Sequence, residues 1–163
     1  MTATPIAPWM TQNGAMLAEV LAPLHEHWFA ALQDAVDPAL QRTATTWDRW
    51  TAARYIGDQV AERLEQERRV IELMPRLSFS ARGQIERGFR TLERVRREIE
   101  RAGREQRADG LLDHLLARFV ELLADWYAAI ELATAWVPVD TLPAEALEIL
   151  TGLELETRAS AAV

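Results

Sequence analysis

The sequence predicts an all-α protein: an up-down four-helix bundle of long antiparallel helices, with a short helix at its C-terminal end. Three observations carry this. The stretch Leu111–Val137 contains no Gly or Pro, and Leu111, Leu115, Phe119, Leu122, Trp126, Ile130 and Ala133 recur in it at steps of three or four. Leu112, Leu116, Leu123 and Tyr127 widen that stripe. This is the period of a helix whose broad apolar face must be buried against other helices or a partner. Three earlier stretches repeat the pattern, and the connections between them are short, so sequential helices are expected to pack as antiparallel neighbours.

Residues 1–12 hold Pro5 and Pro8 and little periodicity, and are expected to form an extended arm pinned by Trp9. Residues 13–157 are expected to form one helical domain. Its first helix covers about Gln12 to Val36, with Leu17, Val20, Leu21, Leu24, Trp28, Leu32 and Val36 as the apolar stripe. The stripe keeps its phase across Pro23, which predicts a kink rather than a break. Asp37-Pro38 is expected to close the element, because the residue before proline resists the helical region. The second helix begins between Pro38 and Thr46, with Thr46 as its N-cap. Trp47, Trp50, Ala53, Gly57, Val60, Leu64, Ile71 and Met74 follow at helical spacing, with a charge at the core-type position Glu67.

Pro75 stops that helix, and Ser78 or Ser80 caps the third, from about Ala81 to Gln106. Its stripe is Ile85, Phe89, Leu92, Val95, Ile99 and Ala102. Ala108-Asp109-Gly110 makes the next turn, with Asp109 as a cap. Pro138 ends the fourth helix. A fifth, about Pro143 to Thr157, carries Ala146, Leu147, Leu150 and Leu153, and 158–163 is expected to be a disordered tail. The second to fourth helices each have about 26–28 residues, or roughly 40 Å at 1.5 Å per residue.

With 163 residues the chain is one ordinary domain with room for a core. It has no Cys, which excludes disulfides, thiolate metal sites and thiol catalysis. All 18 basic residues are Arg, as a GC-rich genome would produce, and the net charge of −7 argues against general binding to nucleic acid or an anionic membrane. The N-terminus lacks the basic and apolar regions of a signal peptide. A membrane-spanning reading of 112–136 would bury Arg118, Glu121, Asp125 and Glu131 in the bilayer. A cytoplasmic location is therefore expected.

Catalytic and metal-binding constellations are not evident. His25 and His27 lie two apart and point about 200° apart on a helix, so they cannot chelate one ion. Glu-x-x-His pairs are absent. The three histidines are expected at the surface or its boundary, and Asp125 at the edge of the solvated face. Ser78, Ser80 and Ser160 lie outside any nucleophile motif, and no phosphate loop is present. No cofactor and no metal are expected.

Two features remain. Six tryptophans are present, and Trp28, Trp47 and Trp50 are expected to meet at one end of the bundle. They would either plug the core there or form an aromatic contact cluster for a partner. Arg87, Arg90, Arg94, Arg97, Arg101 and Arg104 form a continuous ridge on the third helix. From Arg82 to Arg107 nine Arg outnumber five Glu, a balance of +4, so the rest of the chain carries −11. The ridge is expected to be a solvated face held by the pairs Glu86–Arg90, Glu93–Arg97 and Glu100–Arg104; its alternative is an anionic partner.

The leading expectation is a non-catalytic helical-bundle protein acting by protein–protein contact, as adaptor, assembly factor or regulator, with a protein or another copy of itself as partner. The long, Cys-free amphipathic helices and the rhythm of residues 47–106 resemble phasins in texture, which implies as the alternative a coat protein on an apolar surface such as a storage granule. A small-molecule-binding bundle comes third.

Overall fold

The computed structural model describes residues 14–105 and 110–161, which are all-α; no strand occurs among them. The arm expected over 1–12 and the Asp109 cap lie outside the described residues. Helix α1 spans Leu17–Leu40, α2 Thr46–Arg54, α3 Ala61–Glu72, α4 Phe79–Arg104, α5 Leu111–Thr134 and α6 Ala144–Ala161. A π-helical turn, Tyr55–Val60, joins α2 to α3 without a break, and a 3₁₀ turn, Val139–Thr141, precedes α6.

Helix α5 buries its broad face mainly between α4 and α1. Leu112, Leu115, Leu116, Phe119, Leu123, Trp126, Tyr127 and Ile130 are buried, whereas Leu122 is half-buried at the margin. The stripe thus points slightly to one side of the direction expected, because the helix has neighbours on both flanks. Trp126 satisfies its indole N–H by donating to the Ile85 carbonyl at 2.9 Å, and its ring lies against Phe89 at 6.0 Å. α1 runs antiparallel to α5: the Leu17 N–H donates to the Val137 carbonyl at 2.8 Å, and further along Trp28 approaches Tyr127. α2 packs on α1 and α4, and α6 lies against α1 and α3.

Both prolines of α1 stay inside it. Pro23 is exposed, and the helix passes it without interruption. The closure expected at Asp37-Pro38 does not occur. α1 continues to Leu40 because Ala39 is fully buried, while the ring of Pro38 and the turn of Asp34 behind it face solvent. The N-cap of α2 is Thr45 rather than Thr46. Thr45 Oγ1 accepts from the Asp48 N–H at 3.1 Å, and Asp48 returns a bond to the Thr45 N–H at 2.9 Å. Only from Thr45 does the third residue carry a carboxylate that completes this reciprocal box.

Ser78 caps α4 by accepting from the Ala81 N–H at 3.1 Å. Arg82, in the first turn of α4, closes the corner by donating to the carbonyls of Ile71 and Glu72, the last residues of α3, and of Met74 just beyond it. The tail expected from residue 158 is helical as far as Ala161, with Arg158 paired to Glu154 at 2.7 Å. The burial of Leu150, Leu153 and Glu154 holds this helix down.

Glycine positions separate tight from open helix contacts. A Cβ on Gly103 would stand 2.9 Å from Ala53 Cβ, a carbon fixed to the backbone of α2, whereas one on Gly152 in α6 meets nothing within 4 Å. Gly103→Ala is therefore expected to lower stability by about 1 kcal/mol or more through overpacking. Gly152→Ala should raise it by about 0.5–1 kcal/mol through helix propensity. Urea denaturation of both variants checks the opposite signs. Phe119→Ala, at a fully buried site, should cost about 3–5 kcal/mol in the same measurement.

Candidate functional site

Three places hold side chains that packing alone does not explain. The first lies inside the molecule. His25 follows Leu21 by four residues and precedes Trp28 by three, so it sits in the core-facing phase of α1. It is 3% exposed, where a surface or boundary position was expected. Glu67 lies in phase with Leu64 and Ile71 of α3 and is 1% exposed. The two meet: His25 Nε2 bonds to Glu67 Oε1. The opposite ring nitrogen, Nδ1, lies 3.3 Å from Glu131 Oε2 of α5. Tyr127 stacks on the imidazole at 3.9 Å with 7° between the planes. Trp28 adds a third ring, and its Nε1 donates to Thr157 of α6 at 3.1 Å.

Burial alone would lower the pKa of His25. The charge and hydrogen bond of Glu67, then those of Glu131, outweigh it and hold the pKa above its usual 6.5. Burial pushes the Tyr127 phenol well above 10.0, with the nearby Glu67 charge acting in the same direction. Two polar atoms of α3 remain buried without a hydrogen-bond partner: Glu67 Oε2 and, one helical turn before it, Arg63 Nε. The Arg63 guanidinium lies over the Trp28 ring at 5.2 Å. The two carboxyls approach His25 from opposite ring edges, so no single ion can be held by both contacts. Among the described residues no group of three His, Cys, Asp or Glu is arranged to hold a metal.

The second place is on α2. Trp47 is 68% exposed and Trp50 half-buried; their rings lie 5.2 Å apart. Arg54 extends over Trp50, with its Cζ 4.7 Å from the ring centre. A shallow groove of about 290 Å³ runs along Trp47, Trp50, Arg54 and Tyr55. A second, of about 270 Å³, lies across Trp50, floored by Ala53, Gly57 and Gly103, with Arg104 on its lining. The expected meeting of Trp28 with Trp47 and Trp50 does not occur. Trp28 turns inward to His25 and Tyr127, and Trp47 stands off the stripe that would have made it a core plug.

The third is the ridge of α4. Arg87, Arg90, Arg94, Arg97, Arg101 and Arg104 are all exposed. Arg90 reaches Glu86 at 3.6 Å and Arg97 reaches Glu93 at 3.8 Å. The third expected pair is replaced, because Glu100 bonds Arg96 at 3.3 Å instead of Arg104. Arg96, absent from the ridge, is, like Arg82, a structural arginine of this helix. It is 13% exposed, grips Glu93 with both Nε and Nη2, and donates to the Gly57 carbonyl in the π turn at 3.3 Å. A groove of about 580 Å³ follows the ridge between Arg68 and Arg101, floored by Phe89.

Glu67 was marked in the sequence as a charge at a core position, but its partner was not. The signal for His25 was its phase with Leu21 and Trp28, which the flanking Glu26 and His27 obscured. Asp125 is exposed on the solvated face. No family model matches the chain, and no curated protein or solved structure is significantly similar to it.

The geometry separates the arginines energetically. Arg96→Gln should destabilise by about 1–3 kcal/mol, because it strips charged partners and a backbone carbonyl of their donor. Replacing Arg90, Arg97 and Arg104 together with Gln should cost about 1 kcal/mol or less, the range of exposed ion pairs. Denaturation midpoints of the single and triple variants test the order.

Proposed function

We propose that the chain is a non-catalytic helical-bundle protein acting by protein–protein contact, with α1, α2–α3, α4 and α5 in up-down order and α6 laid across α1 and α3. The observation that carries this reading is the Trp47–Trp50–Arg54 cluster. An exposed tryptophan tilted against a second, with an arginine over the ring and a groove on either side, has the residue types that dominate binding energy at protein interfaces. Its position on a continuous helix keeps it rigid, so little conformational entropy is lost when a partner docks. An adaptor, assembly factor or regulator needs such a surface and no reactive centre.

The coat-protein alternative is less well supported. It requires the apolar face of α5 to meet a granule, and that face already lies against α1 and α4. A small-molecule site is favoured by no enclosed cavity among the grooves described above.

Trp47→Ala and the Trp47→Ala/Trp50→Ala double variant test the proposal. Trp47→Ala should leave the thermal midpoint within a few degrees of wild type, as surface changes do. Association, read as oligomeric mass by light scattering and as partner capture from native lysate, should fall by about thirtyfold, the loss expected on truncating a hot-spot residue of ~2 kcal/mol. Unchanged mass and unchanged capture in the double variant would exclude this surface as the contact.

A further inference from the structure

We propose that His25, Glu67 and Glu131 form a buried proton-binding latch: one doubly protonated imidazole ties α1 to both α3 and α5, and loss of its proton releases the tie. The argument begins with counting donors. A neutral imidazole carries one N–H, and its other nitrogen is an acceptor. Here each ring nitrogen faces a carboxyl oxygen of a different helix, Glu67 Oε1 on one edge and Glu131 Oε2 on the other. Only the imidazolium supplies a donor to both. When the proton leaves, one of the two contacts becomes acceptor against acceptor in a nearly dry interior, and it has to open.

The surroundings make that loss consequential. From α3 the charged groups are Glu67 itself, already left with an unpartnered Oε2, and Arg63, whose Nε is unpartnered too. From α5 they are Glu131, at the half-buried margin, and Tyr127, which covers the face of the ring. Tyr55 of the π turn bears on Tyr127. α6 contributes Glu154, held by Arg158, and Thr157, which accepts from Trp28. Once the imidazolium is lost, no cation other than Arg63 borders Glu67 in this set, and the Arg63 guanidinium is engaged with Trp28. Leaving one member of a buried ion pair without its partner is strongly destabilising.

The sign follows from linkage. The raised pKa of His25 in the folded protein means the latch is fully closed below the unfolded-state value near 6.5 and lost as pH rises through the folded-state value. The molecule is therefore held more tightly at mildly acidic than at alkaline pH, and the tie to α5 is the one released, since water can reach the half-buried Glu131 whereas Glu67, at 1% exposure, keeps the remaining N–H.

The test combines two readouts on the full chain. Nitrogen-15 chemical shifts of the His25 ring, followed from pH 5.5 to 9.5, should show both nitrogens protonated at the acidic end and a titration midpoint above 6.5. Thermal midpoints over the same range should fall with that titration in wild type. His25→Gln should flatten this pH dependence. If that variant does not fold, Glu131→Gln, which removes the more exposed carboxyl, should move the midpoint of the titration down by about one pH unit or more. A titration midpoint at or below 6.5, or a ring with only one protonated nitrogen at pH 5.5, would overturn the proposal. So would a thermal profile above pH 6.5 that is the same in wild type and His25→Gln, or, where only Glu131→Gln folds, a titration midpoint unmoved by it.

Discussion

The broad apolar face of α5 sets the constraint on which the rest of this fold depends. Eight large side chains on one helix cannot be left in water; each Leu or Phe buried contributes about 1.5–3 kcal/mol. A single neighbour cannot cover so wide a face, so α5 must lie between two, and α4 and α1 take those places. Trp126 fixes the approach of α4 on one flank by donating to the Ile85 carbonyl, and the absence of a side chain at Gly88 lets its ring come close. Tyr127, the next residue, faces the other flank and stacks on His25 of α1. Adjacent positions on one helix thus anchor two different partners.

The polar centre sits where side chains of three helices, α1, α3 and α5, converge. A buried ionic pair contributes little net stability compared with an apolar core, because desolvation offsets the attraction. What the His25–Glu67 contact supplies is register. Glu67 can satisfy His25 at one position of α3 along α1, and Glu131 fixes α5 to the same point. The same economy explains Arg82 and Arg96, which pin carbonyls at the end of α3 and in the π turn. Arginines at the bends of this molecule are structural, and those along the outer face of α4 are solvated. The Trp47–Trp50–Arg54 cluster belongs to neither group: Trp47 is exposed, Trp50 half-buried, and Arg54 lies over the Trp50 ring.

Much of the architecture was legible in the chain. Helical periodicity located every long helix, and the stripe of α4 from Ile85 to Ala102 is buried residue for residue. The phase of α1 held across Pro23. Legibility failed where a local rule met a tertiary demand. Pro38 should have ended α1, but the burial of Ala39 carried the helix past it. Trp47 fitted an apolar stripe by spacing, yet it lies in the first turn of α2, beyond the reach of the neighbours that cover Ala52 and Ala53.

The sequence by itself determined the helical class, the helix faces and the Ser78 cap of α4, because these depend on spacing and on residues within one or two turns. It also showed that Glu67 was a charge out of place. Only the tertiary structure decided what answers that charge. His25 and Glu67 are separated by 42 residues, and Glu131 lies 106 from His25. No local pattern encodes which side chains will face each other across three helices, since that depends on the packing angle and register of whole elements. The tertiary structure likewise decided that Glu100 turns to Arg96 and not to Arg104, because the Gly57 carbonyl in the π turn draws Arg96 inward and brings its guanidinium within reach of both carboxylates.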